Sequence, residues 1–268
     1  MKDKWRFIDN GSCSASYNMA LDEAIATAVQ KGSSPPTLRL YGWNMPSVSI
    51  GYFQKVRDVD FDYCMEKGIP IVRRPTGGRA ILHNNEITYS FSVKTEDGIF
   101  SKGLLDSYRR ISTAFVLSFS KIGLSPELKL LRETRNPSPI SRHSKSPLCF
   151  KSISYGEISI DNKKIIGSAQ KRWSNCLLQQ GSIPCIIDRD EMAKVFRLES
   201  SVLVETMIGL QEILQHFTPE DLRNIIKISF EETFNATLIP LTPSQEEISL
   251  AEELEIKKYL SHQWNFQR

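Results

Sequence analysis

The segment EITYSFSV, Glu86 to Lys94 less its last residue, places Ile87, Tyr89, Phe91 and Val93 at every second position. A period of two marks a strand with one face in a core, and a half-buried strand requires neighbours to pair with and a layer to cover it. The surrounding sequence supplies both. PPTLRLYGW and SVSIGYFQ read as two short strands, with Gly42 to Pro46 turning between them. GIPIVRRP reads as a third strand ending at Pro75. Further on, YGEISI and KIIGSAQKRW flank Asp161-Asn162-Lys163, the pattern of a β-hairpin with a polar turn. LLQQGSIPCII is another strand region.

Helical spacing occupies the rest. In residues 14–31, Met19, Ala20, Ile25, Ala26 and Val29 fall on one face, with Ser16 or Asn18 as the expected cap. Residues 103–123 repeat the pattern, with Gly123 as the expected C-terminal cap. PEDLRNIIKISFEETF and PSQEEISLAEELEIKKYLSHQW form a helical tail over about 219–268. The order is helix, strands, helix, strands, helices, without regular βαβ alternation. That predicts an α+β fold with a mixed, mostly antiparallel sheet flanked by helices. We expect one catalytic domain over 1–268, its core at about 30–220, and no separate accessory domain. Residues 131–148 are rich in Ser, Pro and basic side chains without a hydrophobic period, and read as a loop.

Composition narrows the function. A net charge of +3 in 268 residues is too weak to predict nucleic-acid binding. No apolar run reaches the length of a membrane span, and the N-terminus lacks a secretory apolar region, so the expected location is the cytoplasm. The five cysteines, Cys13, Cys64, Cys149, Cys176 and Cys185, are scattered and form no CxxC pair. This argues against a disulfide framework and against a zinc site. A monomer is expected.

The chemistry concentrates in two stretches. RRPTGGRAILHN carries Arg73, Arg74 and Arg79 around Gly77-Gly78, between two strands. Such a stretch is either a turn with solvated arginines or a cradle of backbone N–H groups and guanidiniums for a phosphate, a carboxylate or an acidic carrier. It is neither a Walker loop nor a dinucleotide fingerprint. His83 follows it, as a structural or a catalytic histidine. In the second stretch, Cys149 stands among Arg142, Lys145 and Lys151, a setting that favours a thiolate. The alternative is a buried small hydrophobe, the reading that Cys64, Cys176 and Cys185 fit better. Lys164 opens a strand whose Gly167, Ser168 and Ala169 are small enough for close approach by a ligand.

RRPTGGRAILHNNEITYS together with DNKKIIGSAQKR resembles the lipoate–protein ligase, octanoyltransferase and biotin ligase superfamily. NMALDEAI, LRLYGWNMPSVSIGYFQ, LLQQGSI and the closing KKYLSHQWNFQR support it. The resemblance covers about residues 4 to 190 and the C-terminal stretch. It implies that Arg73, Arg74, Thr76, Gly77, Gly78, Arg79 and His83 line a tunnel for a medium-chain acyl group, with Gly167, Ser168 and Ala169 beside it. Lys164 matches the family's lysine. TGGRA, with Arg79 where ATP-using ligases show a third glycine, resembles the cysteine-dependent octanoyltransferases and related amidotransferases. Cys149, fifteen residues before Lys164, matches their acyl-accepting cysteine.

The resemblance implies transfer of octanoyl from octanoyl–acyl carrier protein, through Cys149, to a lysine of a lipoyl domain. The implied acceptors are the glycine cleavage H protein and 2-oxoacid dehydrogenase subunits. No cofactor and no metal is expected. The rival is an ATP- and Mg-dependent lipoate ligase, and a second rival is an amidotransferase between lipoyl proteins. A non-catalytic acyl-binding protein is a third reading, and it would never become covalently acylated. The basic 131–145 segment fits either a docking site for an acidic carrier or a solvated surface. Two positions depart from the pattern: Gln180 stands where the family often has histidine, and Asn84 where it often has aspartate.

Overall fold

The computed structural model describes residues 2–96, 98–129, 156–198, 206–214 and 218–267. Cys149 and the expected 131–148 loop lie outside the described residues. Two sheets organise the rest. The large one has the order β11-β1-β2-β6-β10-β9-β8-β7. Its members are β1 (Asp3–Cys13), β2 (Thr37–Trp43), β6 (Glu86–Lys94), β7 (Glu127–Leu128), β8 (Ile158–Ile160), β9 (Lys163–Arg172), β10 (Cys176–Pro184) and β11 (Ala236–Pro240). The small one places β3 (Ser47–Ile50) between β4 (Ile71–Arg73) and β5 (Ile81–His83). β1 runs parallel to β11 and to β2, and β3 parallel to β4, while the other pairs are antiparallel. The mixed, mostly antiparallel α+β expectation holds.

Alternation in β6 has its expected consequence. Ile87, Tyr89, Phe91 and Val93 enter the main core with Phe115, Phe119 and Phe230, which come from helices α3 (Leu104–Lys121) and α5 (Pro219–Phe234). The intervening Thr88, Ser90 and Ser92 are also buried, because helix α1 (Ala15–Lys31) covers the opposite face. The hairpin at Asp161-Asn162 forms with both residues at positive φ, 49° and 61°, as a two-residue type I′ turn requires. Gly123 takes φ +85° just past α3, closing that helix as its sequence suggested.

Three expectations change. The cap of α1 is Ser14, not Ser16 or Asn18: Ser14 accepts from the Tyr17 amide, while Ser16 bonds Glu255 at 2.6 Å and Asn18 turns into the sheet. SVSIGYFQ stops being a strand at Ile50, because Gly51 to Phe53 turns away under the Gly77-Gly78 loop. The expected helical tail contains a strand, β11, which starts where Asn235 takes φ +50° and ends α5. Strand β1 had no alternation to reveal it, since Trp5, Arg6, Phe7 and Ile8 are all buried. No described helix is long and apolar enough to cross a membrane.

The tail is bound in by charge. Arg6 on β1 donates through Nη1 and Nη2 to both carboxylate oxygens of Glu247, at 2.7 and 2.5 Å. Glu247 lies on α6 (Gln245–Leu254), which packs on α1. Burial pushes the Glu247 carboxyl up, but bonds from Arg6, the Ser244 amide and Ser34 outweigh that and hold it below the ordinary glutamate range. A folded-state pKa below the unfolded one stabilises the fold above the unfolded value, about 4.3, and that stability is lost as pH falls through the folded value. Glu247→Gln should therefore cost about 3–5 kcal/mol in urea unfolding at pH 7, and the difference from wild type should shrink below about pH 4.3. A difference independent of pH would contradict this assignment.

Candidate active site

The RRPTGG stretch folds back between the two sheets, and its cations serve the chain itself. Arg73 Nη1 donates to the carbonyls of Gly51 and Gln54, each at 2.8 Å. Its backbone N–H and guanidinium also meet Asn265, while the indole N–H of Trp264 donates to the Arg73 carbonyl at 2.9 Å. The C-terminal segment thereby closes over β4. Arg74 donates to the carbonyls of Ser49, Gly77 and Arg79 at 2.9, 2.8 and 2.6 Å. Both side chains are buried. Burial rules out solvated arginines: Arg73 and Arg74 act as internal staples that set the loop's shape, and Arg74 also lines the cavity described below.

Of the two glycines, only Gly78 has positive φ, +85°. Its carbonyl lies so near Gly51 that a Cβ added at Gly51 would sit 1.9 Å from it. Gly77 has open space at its Cβ position and is half-exposed. Thr76 is buried, and its hydroxyl donates to Gln180 Oε1 at 2.8 Å. Gln180 Nε2 donates in turn to Asp22 Oδ2 at 2.7 Å. The amide thus ties the loop to α1 where the family often has histidine, and it does so without a titrating group.

Asp22 is the hub. It is fully buried and accepts four bonds: Arg39 Nη1 at 2.7 Å and Ser90 Oγ at 2.6 Å on Oδ1, Tyr41 Oη at 2.8 Å and Gln180 Nε2 at 2.7 Å on Oδ2. Four donors fill a carboxylate's acceptor sites. Arg39 is equally buried and is completed by Asn18 Oδ1 and Asn10 Oδ1 at 2.7 and 2.8 Å. Sequence reasoning read only the apolar face of α1. The signal it passed over was Asn18 and Asp22, four apart and so on one helical face, within NMALDEAI.

Beside this hub lies a narrow cavity of about 20 Å³. Met19, Tyr41, Trp43 and Ile81 give it apolar walls; Ser49, Arg74, His83, Ser168, Ala169, Gln180 and Gly181 complete the lining with Thr88. The walls are mostly apolar, with a few polar groups among them. Ser168 and Ala169 reach it from β9, while Gly167 pairs with Ser182 in the neighbouring ladder. Arg79, half-exposed, borders the loop.

His83 forms part of the wall and is stacked on Trp43, with ring centroids 3.9 Å apart. Nε2 meets Ser49 Oγ at 2.7 Å and Nδ1 meets Glu86 Oε1 at 2.7 Å. Arg74 also donates to Ser49 Oγ at 3.0 Å, so Ser49 links the ring to the loop's arginine. Both ring nitrogens are engaged, an arrangement that holds a wall in place. Burial pushes the Glu86 carboxyl up, but bonds from His83, Ser182 and Thr88 outweigh it and hold the group below the ordinary glutamate range.

Lys164 is not among the cavity's lining side chains. It is fully buried on β9, and its Nζ donates to the Glu157 carboxylate. Cys64, Cys176 and Cys185 are pushed up to about 11 by burial, which makes them poor nucleophiles. Among the described residues no cluster of His, Cys, Asp and Glu has the makings of a metal site.

Comparison with known proteins gives the class of this domain. Residues 14–231 match the model of the lipoyl protein ligase A/B catalytic domain, and the chain belongs to that family. Over 277 residues it is 36% identical to the protein named octanoyltransferase LipM of Geobacillus kaustophilus, with 100% of this chain and 99% of that one aligned. Its identity to the protein of the same name in Bacillus subtilis is 34% over equal coverage. Among solved structures, lipoate-protein ligase A bound with ATP superposes at a TM-score of 0.82 with 26% identity, covering 99% of each chain. The bipartite lipoate protein ligase of Thermoplasma acidophilum, studied with its E2 lipoyl domain, gives 0.82 and 25% over 98% of this chain and 96% of that one.

The Gly51–Gly78 contact is open to direct test. Gly51→Ala forces its methyl into the Gly78 carbonyl and should cost about 1–3 kcal/mol in urea unfolding. Unchanged stability would mean the loop does not rest on Gly51.

Proposed function

We propose that this protein is an octanoyltransferase of protein lipoylation, moving octanoyl from octanoyl–acyl carrier protein to a lysine of a lipoyl domain through a thioester on Cys149. The observation that carries this reading is the apolar cavity between the arginine-stapled loop and β9, in a chain aligned end to end with proteins named octanoyltransferase.

The chemistry runs in two displacements. The Cys149 thiolate attacks the carbonyl carbon of the incoming thioester. The new S–C bond forms, the bond to the carrier's pantetheine sulfur breaks, and that thiolate takes a proton from water. The unprotonated ε-amine of the acceptor lysine then attacks the enzyme thioester. The C–N bond forms, the Cys149 sulfur leaves, and the amine's extra proton passes to solvent. One acyl bond is exchanged for another at each step, so thioester energy drives the amide without ATP. Lys164, as a buried cation, stabilises the thiolate and the oxyanion that develops on the carbonyl. Met19, Trp43 and Ile81 hold the hydrocarbon, and His83 with Glu86 keeps the wall rigid. The acceptors in this reading are lipoyl domains such as those of the glycine cleavage H protein and the 2-oxoacid dehydrogenases.

The ATP-bound solved relative favours one alternative, an adenylating lipoate ligase. Incubation with octanoyl–acyl carrier protein, without ATP, followed by intact-protein mass, separates the two. The expected result is one added octanoyl group, released by hydroxylamine and absent in Cys149→Ala, whose transfer rate falls at least about a thousand-fold. Transfer to a lipoyl domain that needs free octanoate, ATP and magnesium, with Cys149→Ala fully active, would establish the ligase instead.

A further inference from the structure

We propose that Glu157 is a positioning residue for Lys164 in acyl transfer; the inference rests on the role given to Lys164 above. The pair is buried on both sides, with side-chain exposures of 0% for Lys164 and 8% for Glu157. Each partner is held by its own set of contacts. The Lys164 carbonyl accepts from the Ile208 amide at 3.2 Å, the residue bridges Met207, and on the other side it pairs with Ser159 of β8. The Glu157 carbonyl accepts from the Lys129 amide at 3.1 Å, and the Gly156 amide donates to the Lys129 carbonyl at 2.7 Å. Ser112 on α3 donates to the Gly156 carbonyl at 2.6 Å. Gly156 takes φ +80°, and a Cβ there would lie 2.7 Å from the Tyr108 ring of α3. Helix α3 thus presses directly on the backbone that carries Glu157, and the same Tyr108 donates its hydroxyl to the carbonyl of Ser168, a cavity-lining residue of β9.

Stability alone does not explain the pair. A buried ion pair contributes little over an apolar pair of similar volume, and the neighbouring strand positions Ile158, Ile160, Ile165 and Ile166 are buried and apolar. A function does explain it. Lysine carries its charge on a flexible four-carbon stem, and a reacting carbonyl needs that charge at one place. A carboxylate fixed by α3 supplies the counter-charge and sets the direction of the ammonium, on the strand that also contributes Ser168 and Ala169 to the cavity.

The test is a double-mutant cycle on the full chain. Single-turnover octanoylation from octanoyl–acyl carrier protein is followed by intact mass for wild type, Glu157→Gln, Glu157→Asp, Lys164→Met and Glu157→Gln/Lys164→Met, with thermal unfolding of each. Glu157→Gln should lower the rate at saturating donor about ten- to hundred-fold, leaving half-saturation by donor unchanged. Glu157→Asp, which keeps the charge on a shorter stem, should fall between it and wild type. In the Lys164→Met background the Glu157→Gln change should cost nothing more. An equal fall in both backgrounds overturns the inference. A slow Lys164→Met beside a fast Glu157→Gln overturns it alone, whereas a fully active Lys164→Met overturns the role of Lys164 and the inference with it. If Glu157→Gln does not fold, Glu157→Asp decides: a wild-type rate there contradicts positioning.

Discussion

One buried carboxylate holds the halves of this site together. Asp22 sits on α1 and receives Arg39 and Tyr41 from β2, Ser90 from β6 and Gln180 from β10. Desolvating a charge is costly unless every lone pair is answered, and here four donors answer it. The arrangement fixes α1 over three adjacent strands at one point. Through Gln180 it reaches Thr76, so the glycine loop inherits its position from the core. The cavity opens beside this hub because Met19 comes from the same helix and Tyr41 and Gln180 from the same strands.

A second layer of cations works on backbone carbonyls. Arg73 and Arg74 spend their donors on the Gly51, Gln54, Ser49, Gly77 and Arg79 carbonyls. Buried carbonyls need donors, and a forked guanidinium supplies several from one residue. Arginines crowded around a double glycine therefore mark a loop whose shape is rigidly prescribed. Rigidity suits a wall that must hold a featureless hydrocarbon in one register while its carbonyl reacts.

Much of the fold was legible. The period-two run at Ile87–Val93 and the Asp161-Asn162 turn are local signals, and both formed as read. β1 escaped because burial on both faces erases alternation, as Trp5, Arg6, Phe7 and Ile8 demonstrate. β11 escaped because its register is set by pairing with β1, far away in sequence. The site divides the same way. Arg74, His83, Ser168 and Ala169 do meet at one cavity. What the sequence could not disclose was direction: that Arg73 faces the C-terminal segment and that Lys164 faces Glu157. Motifs name residue types at a spacing, whereas partners separated by a hundred residues or more, such as Thr76 and Gln180, emerge only from the fold.

Asp22 transmits order from α1 to the loop through Gln180 and Thr76. Amide hydrogen exchange on wild type and Asp22→Asn tests that link most directly, since the amide keeps the size of the carboxyl and removes its charge. Exchange at Thr76 to Ala80 and across α1 should accelerate in the variant, with the Ile158–Ile166 hairpin remaining as protected as in wild type. Loop amides that exchange at the wild-type rate would contradict the account and show that the arginine staples alone hold the site.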